Sequence, residues 1–127
     1  MFAGKRPTNL GVKAGKLAPC PETPNCVSSQ SEDPKHKIAP LPYVEIDDIK
    51  KIVNNMERTS IVEQNENYLY VEFKSKLMGF VDDVEFHKDD VNQVVNVRSA
   101  SRLGKSDLGV NRKRVETIRE ALEAINK

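Results

Sequence analysis

Apolar residues in the last two thirds of the chain recur at the spacings of regular helices and strands. A helical period brings them onto one face between residues 46 and 56, and again between residues 115 and 125. In between, alternating apolar and polar residues predict four strands, over residues 60–64, 68–77, 79–87 and 94–102. Because short polar turns join these strands, we predict an α+β fold: a four-stranded antiparallel meander with two helices on one face.

The first third of the chain follows a different pattern. All seven prolines lie within residues 1–42, and proline lacks the backbone donor that a helix or a central strand needs. Apolar residues are nevertheless spaced along this segment like anchors. We therefore predict that residues 1–44 form an extended arm that wraps the core built by residues 45–127, within a single domain.

Composition narrows the classes of protein. The 127 residues carry a formal net charge of +1, with 38% hydrophobic and 31% charged residues, which indicates a folded chain and argues against binding of nucleic acid through overall positive charge. No long apolar run predicts a transmembrane segment, and nothing indicates a cofactor.

The chain has no apolar signal segment, so we expect a cytoplasmic protein if Met1 is the true start and an exported, periplasmic or lumenal one if a signal peptide was removed.

The near-neutral total hides a segregation of charge. Residues 98–119 carry seven basic and two acidic side chains, whereas residues 21–97 carry eight basic and fifteen acidic ones. Two arginines on one strand face, a glycine-flanked loop and a helix N-terminus are typical of an anion site. The candidate contacts are Arg98, Arg102, Lys105 and Arg112. The alternative is that these arginines pair with carboxylates on the neighbouring strand.

Carboxylates near this segment suggest further roles. Asp82 falls on the same strand face as the apolar residues around it, where a carboxylate must be paired or hydrogen-bonded. We expect it to organise the arm or the loop at 104–110, together with Asp107 and with Asn111 as the N-cap of the last helix. Asp83 and Glu85 converge on the opposite face, as a weak metal site or an acid/base pair.

The two cysteines, Cys20 and Cys26, have no second pair with which to form a zinc site. In an oxidising compartment we expect a small-loop disulfide between them, and in the cytoplasm two small buried apolar residues. His36 lies in a run of proline and lysines and is predicted to be a solvated surface residue.

Several short blocks of sequence, in this order, resemble the family catalogued as domain of unknown function number 1499. The blocks are residues 17–21 (LAPCP), 24–29 (PNCVSS), 79–86 (GFVDDVEF), 97–102 (VRSASR) and 109–112 (GVNR). The resemblance covers roughly residues 4 to 125 and implies no particular activity, cofactor or catalytic residue. Because related chains carry an export or membrane-anchoring signal, it favours the disulfide between Cys20 and Cys26.

The leading functional hypothesis is a non-enzymatic binding or interaction domain. Its site would be the basic segment at residues 98–112, and its partner an anionic small molecule or another protein. One alternative is a metal-assisted or acid/base enzyme that uses Asp83 and Glu85. A second alternative is a structural accessory of a membrane complex.

Overall fold

The computed structural model describes residues 4–76, 79–104 and 107–125. Within them, two helices and five strands form an α+β fold. The elements are β1 Cys26–Ser28, α1 Ile46–Asn54, β2 Thr59–Gln64, β3 Tyr68–Lys74, β4 Val81–Asp89, β5 Val94–Ser101 and α2 Val110–Ile125. The sheet is antiparallel throughout, in the order β1-β5-β4-β3-β2. The α+β class is confirmed.

The predicted count of four strands is wrong, because β1 adds a fifth. Strands β2 to β5 form the expected meander, and β1 pairs with the outer edge of β5, where Cys26 lies opposite Ala100. β1 has only three residues and lies within residues 1–44, the segment expected to be an extended arm. Three residues are too few to show an alternating pattern, and an edge position tolerates nearby prolines.

Both helices pack on the same face of the sheet. Apolar side chains of alternate strand positions, such as Val84, Phe86 and Val97, point to this face and are fully buried. On α2 the stripe of Val115, Ile118 and Leu122 covers them. The hydrophobic core therefore lies between the sheet and the helices.

Two details at the ends of elements differ from the prediction. Phe80 precedes β4 and is 41% exposed, so it does not continue the buried row on that strand. Helix α2 begins at Val110, which places Asn111 in its first turn and not before it. Asp107 instead accepts hydrogen bonds from the backbone N–H groups of Gly109 and Asn111, at 2.9 and 3.0 Å.

The N-terminal segment crosses the opposite face of the sheet. Leu17 is buried against Tyr68 and Tyr70 of β3, with Leu10 and Val12 partly buried beside them. From here on, the term arm refers only to residues 4–19, the first described part of the predicted segment 1–44. A disulfide between Cys20 and Cys26 joins the end of the arm to the start of β1, which confirms the expected pairing.

Among the described residues, no helix combines the length and the apolar character needed to cross a bilayer.

Candidate functional site

Five charged residues lie together on the sheet face beneath the arm. The register places Glu72 of β3 opposite Asp83 of β4, and Glu85 of β4 opposite Arg98 of β5. Arg102 follows the end of β5 and joins them. We call these five residues the charged layer. It contains two predicted anion contacts and both carboxylates of the weak metal or acid/base alternative.

Arg102 is the centre of the ion pairs in the charged layer. Its Nε donates to Asp83 Oδ2 at 2.9 Å, and its Nη2 donates to Asp83 Oδ1 at 2.8 Å and to Glu72 Oε2 at 2.5 Å. The hydrogen bond to Asp83 raises the pKa of Arg102, although burial opposes it. Burial raises the pKa of Glu72, but the hydrogen bonds from Arg6 and Arg102 outweigh this effect and leave that pKa below 4.5. This end of the charged layer is a paired network.

Arg98 and Glu85 are less completely partnered. Arg98 is 5% exposed and donates from Nη2 to the carbonyl of Pro19 at 3.3 Å; burial lowers its pKa. Glu85 is fully buried, and its Oε2 accepts from the Tyr68 hydroxyl at 2.5 Å and from the Gly11 N–H at 2.7 Å. Within the described part of the chain, Glu85 Oε1 and Arg98 Nε have no hydrogen-bond partner. One acceptor and one donor therefore stay open on neighbouring strands.

The other predicted anion contacts lie elsewhere. Arg112, on α2, donates to the backbone carbonyls of Lys37 and Lys35 at 2.8 and 3.4 Å, which ties the helix to the chain before α1. Lys105 lies outside the described residues. The structure thus brings Arg98 and Arg102 together beneath the arm and places Arg112 on the helix side of the sheet. The anion site stays a prediction.

Asp82 and Asn111 fasten α2 to the sheet. Asp82, on the helix side, receives a hydrogen bond from Arg114 Nη2 at 2.8 Å, so its partner is a helix and not a loop amide. Asn111 is fully buried. Its amide donates to Ser101 Oγ at 2.9 Å and to Asp107 Oδ2 at 2.7 Å, and its oxygen accepts from Ser99 Oγ at 2.7 Å. Its role is to join β5, the loop and α2.

Of the two carboxylates in the metal or acid/base alternative, Asp83 is engaged through both of its oxygens and, in the part of the chain that the structure describes, Glu85 through Oε2 only. Both oxygens of Asp83 accept from Arg102, and the hydroxyl of Tyr70 also donates to this carboxylate. Within residues 4–76, 79–104 and 107–125, no three His, Cys, Asp or Glu side chains are grouped where they would hold a metal ion.

A hollow of about 430 Å³ lies at the end of the sheet, between the start of β4 and the loop that leads into α2. Val81 in its wall is buried, but four other apolar wall residues are exposed: Phe80 by 41%, Leu103 by 43%, Leu108 by 95% and Val110 by 47%. We call this feature the end hollow. Sequence reasoning missed it, although three apolar residues within the polar loop at 103–110 were a usable signal.

The blocks of sequence that suggested a family are spread over this architecture, from the arm through β4 and β5 to α2. The sequence model of the family described as "Protein of unknown function (DUF1499)" matches residues 16–122. The chain belongs to this family. The DUF1499 match includes the whole charged layer and the end hollow, and it begins at Lys16, within the arm. No curated protein and no solved structure matches the chain.

Proposed function

We propose that this protein is a non-enzymatic binding domain whose end hollow receives an apolar segment of a partner protein. The observation that carries the proposal is the grouping of apolar side chains. Of the eight exposed large hydrophobic residues in the described chain, four surround this one hollow. Grouped exposed apolar surface marks interaction sites, whereas scattered single residues need no explanation.

The shape of the site favours a protein over a small molecule. Leu108 is 95% exposed, so it projects away from the floor of the hollow. A small molecule seated between Val81 and Leu103 leaves such a side chain in water. A second protein surface covers both the hollow and its projecting rim, as apolar anchors do at the centres of protein interfaces.

The contacts of the basic segment favour the same conclusion. The guanidinium groups of Arg98, Arg102 and Arg112 are committed to backbone carbonyls or carboxylates of this chain. These internal contacts reduce what the segment offers to a free anion, and the Arg98 Nε, which has no partner among the described residues, is buried. The apolar side chains of the same segment, Leu103, Leu108 and Val110, are the ones exposed to solvent.

A selection from phage-displayed random peptides on the immobilised full chain tests the proposal. We expect the selected peptides to share apolar anchor residues. Their affinity, measured by fluorescence anisotropy with synthetic peptides, should fall at least about tenfold in Leu108→Asp, because a charge then lies in an apolar contact.

Val91→Asp provides the matched control. Val91 is 91% exposed, but it lies in the turn after β4, about 26 Å along that strand from the end hollow by the rise of a β-strand. We expect this variant to bind the peptides like the unmodified chain. Selected peptides that bind Leu108→Asp and Val91→Asp equally well would overturn the proposal.

A further inference from the structure

The arm binds the charged layer as a peptide ligand binds a groove. Near its middle the Gly11 N–H donates to Glu85 Oε2, and at its end the Pro19 carbonyl accepts from Arg98. At its start the carbonyl of Gly4 accepts from Arg102 Nη1 at 3.4 Å. The sheet thus recognises three backbone groups of the arm, together with Leu17, which packs against two tyrosines.

Charge complementarity accompanies these backbone contacts. Residues 4–19 contain four basic and no acidic side chains, while the charged layer has three carboxylates and two guanidinium groups. Arg6 donates to Glu72 Oε2 from both Nε and Nη2, at 3.0 and 2.7 Å, and its guanidinium lies 5.7 Å from the centre of the Tyr70 ring. A basic segment is therefore the kind of chain that this face selects.

The arm supplies hydrogen-bond partners for only some of the buried polar groups of the charged layer. The open donor of Arg98 and the open acceptor of Glu85 lie on residues that are directly opposite in the register of β4 and β5. Leaving such buried groups without partners is costly. A segment that supplies one further acceptor and one further donor at this point gains over the arm.

The arm is also held weakly. Among residues 4–16 every residue is exposed or half-buried, in contrast to Asp83, Glu85 and Arg98 beneath them. Segments with few buried contacts open at little cost compared with global unfolding. The family match leaves out residues 4–15, which supply the contacts of Arg6 and Gly11, and keeps the charged layer.

We propose that the charged layer is a groove for a basic segment of a partner protein, and that the arm occupies this groove as an intramolecular substitute. The partner segment displaces residues 4–16, while the disulfide at Cys20 keeps the end of the arm in place. This surface lies on the face opposite the helices, so the proposal stands apart from the end hollow.

The test uses the full chain carrying Gly11→Pro. Gly11 has φ +97°, which proline does not adopt, and proline has no N–H to donate to Glu85. This change loosens the arm and leaves the groove intact. A fluorescein-labelled synthetic peptide of residues 4–18 is the probe. We expect Gly11→Pro to bind it at least about tenfold more tightly than the unmodified chain, as measured by anisotropy.

Thr8→Ala is the matched control, because Thr8 is an exposed residue of the same arm with no positive φ, so its substitution leaves the arm in place. It should bind the peptide like the unmodified chain. Adding Glu72→Gln to Gly11→Pro should weaken binding, and so should an Arg6→Glu change in the peptide. Equal binding by all variants, or no binding by Gly11→Pro, would overturn the proposal. A concentration-dependent dimer of Gly11→Pro in sedimentation would assign the groove to a second copy instead.

Hydrogen exchange on the unmodified chain keeps the proposal testable if Gly11→Pro does not fold. Excess unlabelled peptide should speed the exchange of the Gly11 amide, because the peptide displaces the arm. The amides of β4 should keep their rates. An unchanged Gly11 rate at saturating peptide contradicts the proposal.

Discussion

Asn111 is a single side chain on which three elements depend. It is fully buried and hydrogen-bonds to Ser99 and Ser101 of β5 and to Asp107 of the loop before α2. Asn111→Ala removes these three side-chain hydrogen bonds, although Asp107 still accepts from backbone N–H groups and Ser99 still accepts from Arg114. Each buried polar group that loses its partner costs about 1–3 kcal/mol. We expect the free energy of unfolding, measured by urea titration, to fall by about 2–4 kcal/mol.

Lys113→Ala is the control for this prediction. Lys113 lies two residues further along the same helix and is exposed. Its substitution should change the free energy of unfolding by no more than about 0.5 kcal/mol. A similar, small effect of both substitutions would show that the buried network around Asn111 contributes little.

Glu72 links the stability of the charged layer to pH. Its pKa lies below 4.5 in the folded chain, because hydrogen bonds from Arg6 and Arg102 outweigh the effect of burial. A carboxylate with a lowered folded pKa stabilises the fold above its unfolded pKa, and this contribution is lost as the pH falls through the folded value. At pH 7 we expect Glu72→Gln to have a lower free energy of unfolding than the unmodified chain. This difference should become smaller as the pH falls below 4.5.

Urea titrations of both proteins at neutral and acidic pH measure this difference. Glu66→Gln supplies the comparison, because Glu66 lies in the exposed turn between β2 and β3 and forms no ion pair within the described part of the chain. If the gap between the unmodified chain and Glu72→Gln stays constant down to pH 3, the ion pairs of Glu72 do not contribute as described.

Part of the charged layer could be predicted from the sequence. Alternation along β5 correctly predicts that Arg98 and Arg102 share a face, and their pairing with carboxylates on β4 was the alternative to an anion site; Arg102 does pair with Asp83. The role of the arm was not predictable, because contacts of Gly11 and Pro19 use backbone groups that any residue carries.

His36, expected on the surface, is 4% exposed, with its Nδ1 2.9 Å from the Cys26 carbonyl.

At the scale of elements, the disulfide determines how firmly β1 is attached. It closes a short loop, with a sequence separation of six between Cys20 and Cys26, and the chain-entropy relation for such a loop gives about 2 kcal/mol. We expect reduction, or the double substitution of both cysteines by alanine, to lower the free energy of unfolding by about this amount. Urea titration with and without reductant measures it, and the alanine variant must be insensitive to reductant.

Helices and strands with a long pattern of apolar spacing were predictable from the sequence. Segments whose conformation depends on tertiary contacts were not. α1, the meander and α2 follow apolar spacings that hold over at least five residues, so local sequence and fold agree. β1 exists because β5 offers it an edge, and the loop before α2 is organised by Asp107. Phe80 leaves the row of β4 because that strand begins at Val81. Each difference arises where tertiary contacts decide the conformation.

At the scale of the whole molecule, the sheet carries two chemically different surfaces. The helix side is an apolar core closed by Asp82, Asn111 and Arg114, and its open end exposes the apolar end hollow. The other side is charged and is covered by a thin, basic arm. The net charge of +1 therefore hides a local separation of charge, because the arm carries four basic and no acidic side chains and lies over a layer with three carboxylates and two guanidinium groups.

This arrangement predicts two tiers of stability within one molecule. β4 lies at the centre of the sheet, between β3 and β5, so its amides should exchange with solvent only through global unfolding. The Gly11 amide is protected by a single hydrogen bond, which it donates to Glu85 Oε2. Gly11 itself lies in residues 4–16, all of which are exposed or half-buried. We expect it to exchange through a local opening, at a rate that low concentrations of urea do not change. Native-state hydrogen exchange followed by NMR resolves both. A Gly11 amide that exchanges as slowly as the amides of β4 would mean that the arm opens only when the sheet unfolds, and no partner segment would then displace it.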